Sequence, residues 1–227
     1  MLTTIKKLNL TSHQITLGVL LIAAFVFIGL AEDVWLNEGF AWDAPLMLAL
    51  HSIRQPWLDT FFIGITQTAG EWVIVPLGIT AVILWLQQKK AVAIMIFVSF
   101  GGAVALNTLL KALFARPRPQ LFPPLMVETN FSFPSGHSMV AVAFYGLLSI
   151  LLWRNRQYAW AILSGVWVFL VGLSRIYIGV HYPSDVLGSL AVGTIWLVLT
   201  LSFFQSNRTF PHLNSPPKGE LGRGDKF

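Results

Sequence analysis

Long apolar runs separated by short polar stretches dominate this chain. Such runs lie at about 15–31, 72–88, 91–110, 137–153, 158–173 and 186–204. A bilayer core of about 30 Å is crossed by about 20 apolar residues in helical form. The pattern predicts an all-α integral membrane protein with six transmembrane helices in a bundle. Some runs are slightly short, so their helices are expected to extend into the flanks. The second contains Pro76 yet is apolar throughout. The first follows Lys6 and Lys7 and ends in Gly29-Leu30-Ala31, which resembles a signal-peptide cleavage site. It exceeds the usual apolar region of about 7–15 residues and is read as an uncleaved helix.

The segment between the first two spans has a different texture. Asp43–Ile53 mixes Leu46, Leu48, Leu50 and Ile53 with polar residues, and the short run Trp57–Thr68 carries Asp59 and Gln67. Both are predicted to be short helices lying at the interface. The expected organisation is a cytoplasmic segment over 1–14, a six-span membrane domain over 15–204 and a tail over 205–227. That tail is rich in Pro, Gly, Ser and charge and is read as disordered and cytoplasmic.

Composition narrows the picture further. Of the 227 residues, 55% are hydrophobic and 11% charged, whereas soluble domains carry about 25% charged residues. Mean hydropathy is +0.68. Disordered chains, coiled coils and most soluble enzymes are excluded. With no cysteine, disulfides, thiolate metal sites and cysteine nucleophiles are excluded too. The net charge of +5 does not indicate nucleic acid, because no basic domain or aromatic-basic platform accompanies it.

The charge instead sets a topology. With six spans and both termini in the cytoplasm, the inner side holds Lys6, Lys7, Lys89, Lys90, Arg154, Arg156, Arg208, Lys218, Arg223 and Lys226 out of 15 basic residues. Arg54, Lys111, Arg116, Arg118 and Arg175 fall outside, as do most of the acids. This satisfies the positive-inside rule. Counting Trp57–Thr68 as a separate span would put Lys89 and Lys90 opposite Lys6 and Lys7. Short loops and a compact chain point to a bacterial plasma membrane.

The outer face collects the chemistry. Lys111 ends the third span, Arg116 and Arg118 follow it, and Arg175 ends the fifth. Cations at helix C-termini complement the macrodipole, which accounts for Lys111 alone. It does not explain why four gather where positive charge is disfavoured. His137 opens the fourth span, and His181 precedes the sixth. The N-termini of those spans present free N–H groups that suit phosphate. Arg and Lys add bidentate and point-charge contacts to phosphate oxygens. His181 and Asp185 are four residues apart, on one face if a helical turn holds both. The carboxylate could then hold one ring N–H and leave the other nitrogen as a nucleophile. His137 would be free to protonate a leaving oxygen. Two histidines and one carboxylate beside repelling cations make a poor metal site, so no metal is predicted.

These residues form a three-part pattern. Lys111 and Arg118-Pro119 form the first element, Pro134-Ser135-Gly136-His137 the second, and Ser174-Arg175 with His181 and Asp185 the third. The pattern resembles the signature of the type 2 phosphatidic acid phosphatase superfamily, in its membrane branch, over roughly Trp57–Phe204. The resemblance implies a phosphatase that works through a phosphohistidine, without metal or cofactor. His181 would be the nucleophile, Asp185 its orienting partner and His137 the general acid. Lys111, Arg118 and Arg175 would bind phosphate with Ser135, Gly136 and Ser174. Arg116 lies outside the signature and is read as a loop cation. Tyr177 and Tyr182 could brace the site or serve as interfacial aromatics. The superfamily's soluble vanadium haloperoxidases do not fit six spans and this small size.

The expected substrate is a lipid phosphate met at the outer membrane surface: undecaprenyl pyrophosphate, phosphatidylglycerophosphate, phosphatidic acid or diacylglycerol pyrophosphate. Outward orientation and small size favour polyprenyl pyrophosphate. No protein partner is predicted. Two alternatives stand beside this reading. One is a phosphotransferase using the same intermediate. The other is a non-catalytic lipid-binding or transport protein, disfavoured because the span interiors are nearly uncharged apart from polar Asn107.

Overall fold

A computed structural model describes residues 12–206. The first eleven residues of the expected N-terminal segment, and the expected tail beyond Ser206, lie outside the described residues. The described chain is helical: α1 (Ser12–Trp35), α2 (Asp43–Ser52), α3 (Pro56–Gln67), α4 (Ile74–Leu86), α5 (Lys90–Phe114), α6 (Gly136–Ala141), α7 (Leu147–Arg154), α8 (Tyr158–Ile178) and α9 (Pro183–Ser206). A 3₁₀ turn, Glu71–Val73, leads into α4, and a π turn, Val142–Gly146, joins α6 to α7.

Among the described residues, five helices are long and apolar enough to cross a bilayer: His13–Trp35, Lys90–Phe114, Gly136–Arg154, Tyr158–Ile178 and Pro183–Ser206. The sixth is bent. At 13 residues α4 is short, since a crossing takes about 20. Pro56–Gln67 and Glu71–Leu86 pass together as one broken span, with a bend of 53°. The six-span bundle expected from the hydropathy pattern is therefore found. The run Trp57–Thr68, expected as a short helix between the first two spans, forms α3, which meets the 3₁₀ turn and α4 at that bend.

Local chemistry sets the ends of these helices. Pro56 and Pro183 stand at the starts of α3 and α9, where the missing N–H and fixed φ suit the first turn. α5 stops at Ala115, in left-handed conformation at φ 46°, with its N–H on the Lys111 carbonyl. α8 stops at Gly179, at φ 88°.

Apolar side chains pack the inside of the bundle and also cover its outside. Met95, Ile96, Ala141, Phe144, Leu147, Val171 and Leu197 fill its centre. Leu21, Ile22, Phe25, Leu86, Leu109 and Phe203 are exposed. A bilayer solvates such side chains, but no water is present in its core to satisfy polar groups. Those within the bundle are therefore paired, some within their own helix and some across helices. Ser99 donates to the Ala143 carbonyl at 2.8 Å and Ser164 to the Tyr145 carbonyl at 2.7 Å. Both acceptors lie in the π turn, where the helical ladder is widened.

Close approach of α5 and α9 depends on Gly102. A Cβ there would lie 1.9 Å from the Trp196 ring, whose Nε1–H donates to the Ser99 carbonyl at 2.8 Å. A Cβ on Gly101 would meet nothing within 4 Å. Gly102→Ala should therefore destabilise the protein by about 1–3 kcal/mol through overpacking. Gly101→Ala should be neutral or stabilising by up to about 1 kcal/mol. Thermal unfolding of the two variants in detergent checks the contrast.

Candidate active site

At one end of the bundle, the C-termini of α5 and α8 meet the N-termini of α6 and α9. The loop over residues 115–135 closes over them. Its Ser132 N–H donates to the Arg116 carbonyl at 2.9 Å, and its Leu125 N–H to the Ile178 carbonyl at 3.0 Å. Nearly every charged side chain of the expected site is drawn into this end.

Lys111 is buried, and its Nζ donates to Asn130 Oδ1 at 2.8 Å and to the Phe131 carbonyl at 2.6 Å. Arg118 donates through Nε to the Asn130 carbonyl and through Nη1 to the Val180 carbonyl, each at 2.7 Å. Its Nη2 also bonds Asn130 Oδ1. Arg175 has 0% exposure. Its Nη1 donates to Thr66 Oγ1 at 2.7 Å, its Nη2 pairs with Glu128 Oε1, and its Nε has no partner among the described residues. Glu128 Oε2 lies 3.6 Å from Arg118. One loop carboxylate thus bridges two of the three cations. A cavity of about 560 Å³ opens beside Arg118 and Glu128, bounded by Phe122, Met126, Val127 and Val180 among others.

His181 is 1% exposed and Asp185 0%. Four residues apart across the start of α9, they meet at Nδ1 and Oδ2, 3.4 Å apart. Ser132 Oγ and the Tyr182 N–H also donate to Oδ2. The other ring nitrogen, Nε2, faces Arg118 Nη1 at 3.3 Å. The imidazole thus has one edge on a carboxylate and the other towards the cations. Burial, followed by the charges of Arg175, Arg118 and Lys111, holds its pKa well below the usual 6.5.

His137 opens α6, close enough to His181, Arg175, Lys111 and Arg118 for their charges to bear on its ring. The loop before it is anchored: Asn107 Nδ2 donates to the Pro134 carbonyl at 3.0 Å, and the Ser135 N–H to the Asp185 carbonyl at 3.3 Å. Asn107, polar and within a span, therefore holds the second motif element against α5. A Cβ on Gly136 would lie 3.0 Å from Asn107 Oδ1. The hydroxyls of the remaining motif residues are engaged within the fold. Ser135 Oγ accepts from Ser138 at 3.0 Å, and Ser174 Oγ donates to the Val171 carbonyl at 2.6 Å.

One expectation is corrected. Arg116, read as a loop cation, has a side chain only 11% exposed and bridges two carboxylates, Asp185 at 2.5 Å and Asp43 at 3.1 Å. A buried guanidinium needs such partners. Tyr182 lies against it, with ring centroid and guanidinium carbon 4.3 Å apart. Tyr177 instead donates to Asp59 at 2.7 Å and packs on Phe62. Asp43, Thr66, Glu128, Asn130 and Ser132 went unread in the sequence. They are single polar residues in loops and in the short helices α2 and α3, and only the tertiary fold brings them to the motif. The unusual density of polar residues from Glu128 to Ser132, directly before the second motif element, was the available signal.

Fold and site together define a helical membrane protein with three cations gathered around a buried, carboxylate-backed histidine. That arrangement suits phosphoryl transfer. The sequence profile of the PAP2 superfamily matches residues 92–209. Phosphatidylglycerophosphatase B of Bacillus subtilis is 34% identical over 191 residues, covering 81% of this chain and 94% of that protein. An undecaprenyl-diphosphatase of Sulfolobus acidocaldarius is 30% identical over 166 residues, covering 71% and 76%. The crystal structure of a transmembrane PAP2 type phosphatidylglycerolphosphate phosphatase from Bacillus subtilis superposes with a TM-score of 0.76 at 31% identity, over 84% of this chain and 98% of that one. This chain belongs to the PAP2 superfamily and is an integral membrane lipid phosphatase.

The lowered pKa of His181 has a measurable consequence. The folded state resists protonating this ring, so below about pH 6.5 the unfolded chain binds a proton that the folded chain does not, and stability is lost as the pH is lowered. In ¹⁵N-histidine-labelled protein, the His181 ring should keep neutral shifts at about pH 6, where a free imidazole is mostly protonated. Comparison with His181→Gln assigns the signal.

Proposed function

We propose that this protein hydrolyses a lipid phosphate or diphosphate through a phosphohistidine at His181, at the outer face of a bacterial plasma membrane with both termini cytoplasmic. The observation that carries the reading is the orientation of His181, with Nδ1 on Asp185 and Nε2 towards the cation cluster.

Lys111, Arg118 and Arg175 bind the phosphate oxygens, with the Ser135, Gly136 and Ser174 segments shaping the pocket. Asp185 holds the Nδ1 proton, which leaves the lone pair on Nε2 for phosphorus. As the N–P bond forms and the ester or anhydride P–O bond breaks, His137 protonates the leaving oxygen. The same histidine then takes a proton from water, which attacks phosphorus, breaks the N–P bond and releases inorganic phosphate. The three cations do the electrostatic work, so no metal is required. The membrane domain over 15–204 carries the whole reaction, and the cavity beside Arg118 receives the polar part of the leaving group.

For the substrate, we infer the class that includes undecaprenyl diphosphate and phosphatidylglycerophosphate. The outward orientation set by the basic loops favours a diphosphate lipid met at that face. The names of the Bacillus and Sulfolobus relatives support this range.

Purified protein with excess EDTA should release phosphate from both lipids in mixed micelles, and His181→Ala should lose that activity. His137→Ala should lower kcat by about 100–10,000-fold, as expected for a general acid. Release abolished by EDTA would overturn the metal-free mechanism, and full activity in His181→Ala would overturn the nucleophile.

A second prediction concerns the broken span. A Cβ on Gly70 would stand 2.6 Å from His137 Nε2. The ring can swing aside, so Gly70→Ala should fold. A displacement of about 1 Å in a reacting group costs up to about 100-fold in rate. Gly78→Ala, whose Cβ meets nothing within 4 Å, is the control. Phosphate release at equal thermal stability makes the comparison.

A further inference from the structure

Arg116 is the one cation of the outer cluster turned away from the phosphate contacts. Its Nη1 donates to Asp185 Oδ1 at 2.5 Å and to Ser184 Oγ at 2.8 Å. Its Nη2 donates to Asp43 Oδ2 at 3.1 Å. The guanidinium carbon lies 4.3 Å from the Tyr182 ring centroid and 5.7 Å from that of Phe40. Carboxylates and aromatic faces therefore occupy its surroundings.

Asp43 is equally committed. Its Oδ1 accepts from the Ser184 N–H at 2.9 Å, and its Oδ2 from Ser184 Oγ at 2.5 Å. It satisfies a free N–H in the first turn of α9, from 141 residues away in the chain. The start of α2 is thereby fastened to the start of α9, which carries Asp185.

The two oxygens of Asp185 divide their work. Oδ1 belongs to Arg116, while Oδ2 takes Ser132, the Tyr182 N–H and His181 Nδ1. A carboxylate turns readily about its terminal bond. Fixing Oδ1 fixes the direction of Oδ2, and with it the orientation of the histidine ring. Charge leads to the same assignment. One guanidinium between two carboxylates leaves a single net negative charge behind His181, which becomes cationic when phosphorylated at Nε2 with Nδ1 still protonated.

We propose that Arg116, held by Asp43, is the positioning residue for Asp185: it aims Oδ2 at His181 and makes α2 part of the nucleophile's support. This rests on the reading of His181 and Asp185 given above. It assigns Arg116 no contact with the lipid.

The test is a double-mutant cycle on phosphate release from phosphatidylglycerophosphate, using the full chain in detergent. Arg116→Ala should lower kcat by about 100-fold with KM within about threefold, because orientation and not binding is lost. In an Asp185→Asn background, the same change should cost less than about threefold more, since two groups acting as a unit are non-additive. Added guanidinium should restore part of the Arg116→Ala rate. Asp43→Asn should lower kcat by about 10-fold, also with KM held. If Arg116→Ala does not fold, Arg116→Lys, which keeps the charge without the two-pronged bridge, carries the cycle. A raised KM with kcat preserved would overturn the proposal in favour of headgroup binding. Fully additive losses would overturn it by showing that Arg116 acts independently of Asp185. Undiminished kcat in Asp185→Asn would instead overturn the underlying reading of the His181–Asp185 pair.

Discussion

The guanidinium of Arg175 is cut off from solvent, and the surrounding site is arranged by the need to answer its charge. Removing a charged group from water costs several kcal/mol unless partners replace the lost hydration. Arg175 meets Thr66 from the broken span and Glu128 from the loop over 115–135, and Glu128 in turn lies beside Arg118. One buried cation therefore ties together the second span, the fifth span and the loop that carries part of the signature. Lys111 is treated in the same way, since Asn130 and the Phe131 carbonyl come from that loop. The loop has little regular structure, and Lys111 from α5 takes up part of its polar groups.

The apolar bundle beneath serves the same requirement by different means. Backbone groups inside a bilayer are satisfied within helices, so irregular chain is confined to places where protein surrounds it. The break between α3 and α4 and the π turn between α6 and α7 are two such places. Tyr145 links them by donating to the Thr68 carbonyl at 2.9 Å. Trp167 adds a bond from α8 to Thr68 Oγ1 at 2.8 Å. The irregularities are thus cross-braced. Gly70, which lies within the break, reaches His137 at the head of the fourth span.

Much of this is legible in the sequence because the bilayer imposes a length and a composition on each crossing. Continuous apolar runs reveal α1, α5, α8 and α9 directly. The broken span is harder, since Asp59 and Gln67 lower the apolar character of its first limb. Tertiary bonds explain Asp59: it accepts from Tyr177 and faces Arg54 at 3.5 Å. The signature residues are legible because their spacing follows helix ends, as with His181 and Asp185 on one turn. Asp43 and Arg116 are not. Nothing local distinguishes an acid at the start of an interfacial helix, or an arginine two residues before Arg118, until α2 and α9 are seen side by side. Glu128 is hidden for a related reason: its partners lie 10 residues before it in Arg118 and 47 after it in Arg175.

Glu128 also changes what the pocket looks like from a distance. Lys111, Arg118 and Arg175 would together project three positive charges, but the carboxylate among them leaves two. Ions screen such a field within about 8 Å at physiological ionic strength. Its range is then comparable to the size of a single headgroup. A site of this kind draws little from bulk solution. It meets molecules that already diffuse in the plane of the membrane, and its encounter rate is set by their surface density and lateral mobility rather than by attraction through water.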